Sequence, residues 1–274
     1  MKSVIILSYI SLAMLIVGCE SVSVESCINS NNIKGAVRTT KRIIASGADV
    51  NAALTTRGVA PLHIAAGTED IEFAQLLISK GADVNAKIDN GETPLNFATC
   101  SSGHSGSTKM VELLLKHGAD PNSNSKLQSP LMGACLYSNY EVVEYLVENG
   151  ADVNLADECK ATALLYASDV KTIKYLISKG ADVKAKNRDG RTVLMHVFCC
   201  EKINNMEKTE LIFLLMEKGV EINAVETYGF FSDQKSTALD EAVLKEQPKE
   251  IISLLRSKGA KTAAELSTEQ KKNQ

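Results

Sequence analysis

The stretch Ser79-Lys80-Gly81-Ala82-Asp83-Val84-Asn85, followed eight residues later by Thr93-Pro94-Leu95-Asn96-Phe97-Ala98, decides the fold. The first phrase returns along the chain with its glycine at Gly47, Gly81, Gly118, Gly150, Gly180, Gly219 and Gly259. The spacings are 34, 37, 32, 30, 39 and 40 residues. The second phrase recurs as Ala60-Pro61-Leu62-His63-Ile64-Ala65 and trails most of those glycines at a near-constant offset. Self-similarity at a fixed period of this length means stacked supersecondary units that bury a shared core.

The physics of one unit is legible in its residues. Thr93 is expected as a side-chain N-cap, and Pro94 falls at the first helical position, where a missing N–H costs nothing. Leu95 and Ala98 point inward at i and i+3, while small Ala65 and Ala66 let neighbouring helices approach closely. Phe73, Ala74, Leu77 and Ile78 line one face of a second helix at helical spacing. Gly81 then supplies the left-handed residue that ends it. The pattern repeats over 111–118, 142–150 and 173–180.

These phrases resemble the ankyrin-repeat family, over about residues 27–262. The resemblance implies an all-α fold: a solenoid of helix-turn-helix units with β-turn fingers, six to seven repeats including atypical caps. Departures from the repeat locate loops. The unit from Thr93 to Gly118 is four residues longer than that from Ala60 to Gly81, with the excess placed at Cys100–Ser107. The unit from Thr192 carries six extra residues around Cys199–Lys208, and the unit from Thr162 is three short. The finger before the last repeat is long, and its Tyr228, Phe230 and Phe231 fall within four residues of a chain with only 13 aromatics and no tryptophan. Residues 263–274 read as a polar tail, frayed over Ser267–Gln274, which has no apolar residue.

Composition narrows function. With 30 basic and 33 acidic side chains the net charge is -3, so no footprint for nucleic acid appears. No cofactor or metal site is expected, because no two histidines share a ligand spacing. His63 reads as a structural brace of its turn, as the resemblance implies, and His117 ends a helix where partial positive charge is favourable. His196, beside Met195 in the histidine slot, is expected on the concave surface, and His104 in a polar loop. Gly103-His104-Ser105-Gly106-Ser107 lacks the final glycine of a nucleophile elbow. No catalytic residue is therefore assigned, and the chain is expected not to be an enzyme. Cys27, Cys100, Cys135, Cys159, Cys199 and Cys200 leave disulfides open, although scattered buried thiols fit better the distance between packed helices.

The N-terminus differs from the repeats. Met1 and Lys2 precede an apolar run over 4–17, too short for a membrane helix of about 20 residues but suited to an export signal. The run ends in Ile16-Val17-Gly18-Cys19, which resembles the lipobox of bacterial lipoproteins. That resemblance implies a signal peptide at 1–18, lipidation of Cys19, a tether over 19–26, and the repeat domain over 27–262. Glu20 does not match the inner-membrane retention aspartate, which implies the periplasmic face of the outer membrane.

Ankyrin repeats generally bind proteins through finger tips and the exposed side of the first helices. The residues expected there are Thr56, Arg57, Asn90, Glu92, Gln128, Lys160, Arg188 and Arg191, with Tyr228, Phe230 and Phe231 in the long finger. The functional expectation is a membrane-tethered protein-binding module. It is similar to ankyrin-repeat lipoproteins that act as immunity partners of secreted phospholipase effectors. A periplasmic scaffold for a stress-defence enzyme or envelope complex is the alternative.

Overall fold

The computed structural model describes residues 33–100, 105–125, 128–227 and 235–272. The chain divides into two compact units, residues 1–152 and 153–274. Each is a stack of helical hairpins. The first unit holds α1 (Ile33–Ala45), then α2 (Pro61–Gly67) with α3 (Ile71–Ser79), α4 (Pro94–Thr99) with α5 (Ser105–Lys116), and α6 (Pro130–Leu136) with α7 (Tyr140–Glu148). The second holds α8 (Ala163–Tyr166) with α9 (Val170–Ser178), and α10 (Val193–Cys199) with α11 (Asn205–Glu217). A two-stranded finger follows, β1 (Glu226–Thr227) paired antiparallel with β2 (Lys235–Ser236), then α12 (Ala238–Leu244), α13 (Lys249–Ser257) and α14 (Ala263–Lys272). The fold is all-α apart from the fingers.

First helices are short because they are almost wholly buried. Leu62, Leu95, Leu131 and Leu164 recur at the same slot and lie within 1% of full burial, flanked by Ala65, Ala66, Ala98 and Ala134 at 0%. Proline at N1 of α2, α4 and α6 presets the helical turn. The cap of α4 runs opposite to expectation. Asn96 Oδ1 accepts both the Thr93 N–H (3.0 Å) and the Thr93 hydroxyl (2.9 Å), so the third helical residue bonds back to the N-cap residue Thr93. Second helices are longer and half exposed, and open on side-chain caps: Asp70 to the Phe73 N–H, Asn139 to Val142, Asp169 to Thr172 and Asn204 to Glu207. They end on the repeated glycines. Gly81 has φ +88° and donates to the Ile78 carbonyl, while Ala82 donates to Leu77.

The expected loops are refined. Helix α5 already begins at Ser105, inside the segment read as a loop, and 101–104 lie outside the described residues. The excess near Cys199 is shared between a five-residue connection (200–204) and a 13-residue α11. The short unit saves its residues in α8, which is a single four-residue turn. The C-terminal segment is corrected from a frayed tail to helix α14. Thr262 and Glu265 form its cap, the Ala263 N–H donates to Asp240 Oδ2 (2.8 Å), and Arg256 grips Glu265 at 2.7 and 2.8 Å. Hydrogen bonds to Arg256 hold the Glu265 carboxyl down at about 2. Polar residues docked by caps and ion pairs need no apolar run to stay helical.

A further device fixes successive hairpins. The asparagine that closes each glycine phrase donates to the glycine carbonyl of the next phrase and accepts the N–H two residues beyond. Asn51 does this to Gly81 (3.1 Å) and Asp83 (2.8 Å), and Asn85 to Gly118 (2.9 Å) and Asp120 (2.8 Å). Asn122 joins Gly150 and Asp152, Asn154 joins Gly180 and Asp182, and Asn223 joins Gly259 and Lys261. One rung is missing. The fifth phrase reads Ala181-Asp182-Val183-Lys184, and lysine has no carboxamide with which to bridge Gly219 and Glu221.

Candidate protein-binding surface

The fingers are tight hairpins whose tips are tied to each other through the backbone. Within a finger, the Leu54 N–H donates to the Val59 carbonyl, Ile88 to Glu92, Asp157 to Ala161 and Asn187 to Arg191. Between fingers, the Asp89 N–H donates to the Arg57 carbonyl (3.1 Å) in the first unit. In the second, Arg188 donates to the Cys159 carbonyl (2.6 Å) and Thr227 to that of Asp189 (2.8 Å). Consecutive tips thus form a short backbone ladder, with their side chains left outside it. Close approach is demanding at Gly190, with φ +90°, where an added Cβ would run into the Val225 carbonyl oxygen. Lys160 occupies the equivalent place one finger earlier and takes a left-handed φ of +60°.

The structure separates the residues expected on the binding surface. Thr56, Lys160 and Arg188 are exposed, and Arg57 and Asn90 are half-buried. Arg188 also reaches the Glu158 carbonyl with its guanidinium at 2.6 Å. Glu92 and Gln128 are corrected to interior positions, 7% and 2% exposed. Each immediately precedes a first helix, and there the chain turns inward. Glu92 accepts from Asn90 Nδ2 (2.8 Å), and burial raises its carboxyl above the usual range. Gln128 donates to Cys100 Sγ (3.0 Å). Tyr228, Phe230, Phe231 and the lipidation residue Cys19 lie outside the described residues, as do Cys27 and His104.

Arg191 sits at the same place in its repeat as Glu92 and Gln128, yet anchors a charged cluster. One guanidinium nitrogen meets Glu226 Oε1 at 3.1 Å and the other meets Cys199 Sγ at 2.8 Å. Cys199 donates to Glu241 Oε2 (3.5 Å), whose other oxygen accepts from the Ser236 hydroxyl (3.2 Å). Glu226 and Glu241 are 4% and 1% exposed, one on β1 and one on α12. Burial pushes the Glu226 carboxyl up, and Arg191 pulls it back. The cluster therefore pins the base of the long finger to the helices beneath it. Sequence reading missed Glu226, Glu241 and Cys199, because nothing in their spacing foretells that one arginine gathers them. It also missed the asparagine rungs, although their recurrence was in plain view.

His63 and His196 serve the scaffold. The Ala60 N–H donates to His63 Nδ1 (3.2 Å), leaving Nε2–H to donate to the Glu92 carbonyl (3.3 Å) in the next finger. Complete burial lowers the imidazole to about 4. His196, expected on the concave surface, is half-buried and donates from Nε2 to the Ala167 carbonyl at 3.1 Å. Burial, then the nearby Arg191 charge, lowers it to about 4 as well. Cys100, Cys135, Cys159, Cys199 and Cys200 are thiols outside any disulfide, and of these Cys159 is the exposed one. Burial pushes Cys100 up to about 12 and Cys200 to about 11, so both are inert as nucleophiles at neutral pH. Among the described residues no group of His, Cys, Asp or Glu side chains has the arrangement of a metal site. Nor is any helix there long and apolar enough to cross a membrane.

Stacked helical hairpins joined by rigid finger tips define a repeat protein of the protein-binding class. The chain belongs to the ankyrin-repeat family: the family model for ankyrin repeats (3 copies) matches residues 28–125, 102–157 and 161–265. Among curated relatives it is similar to Ankyrin repeat and SOCS box protein 5 of Oryctolagus cuniculus. The identity is 38% over 112 residues, covering 41% of this chain and 32% of that protein. It also resembles Alpha-latrocrustotoxin-Lt1a of Latrodectus tredecimguttatus, with 34% identity over 144 residues, 52% of this chain and 10% of the toxin. A third relative is the fowlpox virus putative ankyrin repeat protein FPV222, at 39% over 125 residues, covering 45% of this chain and 17% of that protein. The chain thus spans a third or less of the length of these relatives.

Proposed function

We propose that this ankyrin-repeat chain is a membrane-tethered inhibitor of another protein, an immunity partner that neutralises a toxic effector such as a secreted phospholipase. The observation that carries the binding part is the ladder between finger tips, Arg57 to Asp89, Cys159 to Arg188, and Asp189 to Thr227. It fixes the backbone under Thr56, Lys160 and Arg188 before any partner arrives, so little loop entropy remains to be lost on binding. A standard interface of roughly 800 Å2 per partner suffices to occlude an active site.

The tethering part rests on Ile16-Val17-Gly18-Cys19 and its resemblance to a lipobox. On this reading Cys19 is lipidated and the chain faces the periplasm from the outer membrane. An inhibitor concentrated on the surface its target attacks gains effective concentration without any new contact. The exposed finger residues and the aromatic trio Tyr228, Phe230 and Phe231 supply the contacts, aromatic and arginine side chains being the usual anchors of interfaces.

Affinity capture from detergent-solubilised envelopes, with the full chain as bait, tests this reading. One effector-like protein should be retained. Its capture should fall more than about tenfold when Tyr228, Phe230 and Phe231 are all replaced by alanine and thermal stability is unchanged, since hot-spot losses are typically about 2 kcal/mol or more. Survival of a deletion strain beside toxin-producing kin sinks the immunity role. Unmodified Cys19 by mass spectrometry sinks the anchor.

A further inference from the structure

Helix α1 carries four basic residues, Lys34, Arg38, Lys41 and Arg42, and no acidic one. Their register matters. Ala36, Thr40 and Ile44 recur every fourth residue and are 1%, 0% and 4% exposed, which fixes the face that packs inward. Positions 38 and 42, both basic, lie four apart as well, displaced by two. Two positions are about 200° of helix rotation, so the basic row lies opposite the buried one. Arg38 and Arg42 are exposed and form no ion pair among the described residues. Lys41 lies to one side, and its charge is answered by Asp70 at 2.5 Å.

We infer that this row is a docking surface for anionic phospholipid headgroups, holding the first unit against the membrane that carries it. The inference rests on the anchor reading for its geometry. The chain from Cys19 to Ile33 spans 14 residues, at most about 50 Å even when fully extended, so a lipidated Cys19 keeps α1 within reach of the bilayer. The intervening 20–32 contains only Glu20 and Glu25 as charged residues, two negative charges against the four basic residues of α1. A cation held near an anionic surface gains about five-fold in partitioning per Lys or Arg, within a Debye length of the headgroups. The occupant is committed by charge and by where the tether ends: a lipid surface, with the fingers left free for protein.

The chain contains no tryptophan, so one introduced by Ala45→Trp, an exposed position a turn beyond the row, is a unique fluorescence donor. The full chain is reconstituted in phosphatidylcholine vesicles, with or without about 30% phosphatidylglycerol, each carrying a trace of dansyl-headgroup lipid. Energy transfer should be stronger on the anionic vesicles and fade at about 0.5 M salt. Arg38→Ala with Arg42→Ala should lower the docked-to-free ratio roughly 25-fold, whereas Arg38→Lys with Arg42→Lys retains it. Equal transfer on both vesicles, or transfer indifferent to the alanine pair, overturns the inference. Mass spectrometry of Cys19 on the same samples separates the two readings. An unmodified cysteine with charge-dependent transfer sinks only the anchor, and a lipidated one without such transfer sinks only the docking surface.

Discussion

The hairpin that opens at Pro61 and the one that opens at Val193 hold their neighbours by different means. At the first, the third helical residue is His63, fully buried, which bridges the Ala60 N–H to the Glu92 carbonyl of the following finger. Asparagine rungs at Asn51 and Asn85 flank it. At the second, the same slot holds Met195, also fully buried, and the rung is lost to Lys184. Arg191 to Glu226, His196 to Ala167 and the Lys186–Glu221 pair (2.6 Å) make the polar connections instead. One repeat phrase is therefore compatible with two kinds of joint, neutral hydrogen bonds in one place and buried charge in the other. The second kind depends on every partner being present.

The largest effect should come from breaking the charged joint. Arg191→Ala leaves Glu226 and Glu241 buried without their cation and should lower stability by about 3 kcal/mol, read by denaturant melting. Acid acts at both joints, through His63 at the first and His196 at the second. His63 and His196 lie near 4 when folded and 6.5 when unfolded, so the unfolded chain binds more protons between those values. Their contribution is complete above about pH 6.5 and is lost as pH falls toward 4, by up to about 3 kcal/mol for each histidine. His63→Asn, copying Asn96 of the next repeat, should remove about half of that acid sensitivity. A melt of that variant with unchanged pH dependence would mean that His63 is not the titrating group.

Smaller changes sharpen the same contrast. Asn85→Ala removes two exposed hydrogen bonds and should cost about 1–2 kcal/mol. Lys184→Asn supplies the missing rung and should add about 1 kcal/mol. Lys184 already donates its backbone N–H to Asp182 Oδ1 (2.8 Å), as Asn85 does to Asp83 (2.9 Å), so the turn is preset. Identical melting of the lysine and asparagine chains would show that the rung bonds merely replace bonds to water. The smallest shift is expected for Lys160→Gly. Relief of its left-handed backbone should stabilise by about 1 kcal/mol, seen as a modest rise in Tm.

Much of the scaffold was legible in the chain. Leu62, Leu95, Leu131 and Leu164 occupy their inward slot, and the seven phrase glycines have φ between +81° and +92°. The binding surface was less legible. Arg188 and Lys160 stand out as expected, yet Glu92 and Gln128, polar residues beside the same fingers, turned inward to partners 2 and 28 residues away in sequence. The C-terminal segment misled for a related reason: its hold comes from Asp240 and Arg256, outside the segment itself.

By itself, the sequence determined the repeat, its period, the buried leucine and alanine slots and the glycine stops. These follow from local rules, helical periodicity and backbone conformation, that act within one unit. Only the tertiary structure decided which polar residues are surface and which are braces. It showed that the last letter of the phrase is a rung and that Arg191 gathers Glu226, Cys199 and Glu241. Those roles depend on atoms that meet only once neighbouring units have stacked, about 30 or more residues apart along the chain for most of them, and no local pattern encodes such a meeting.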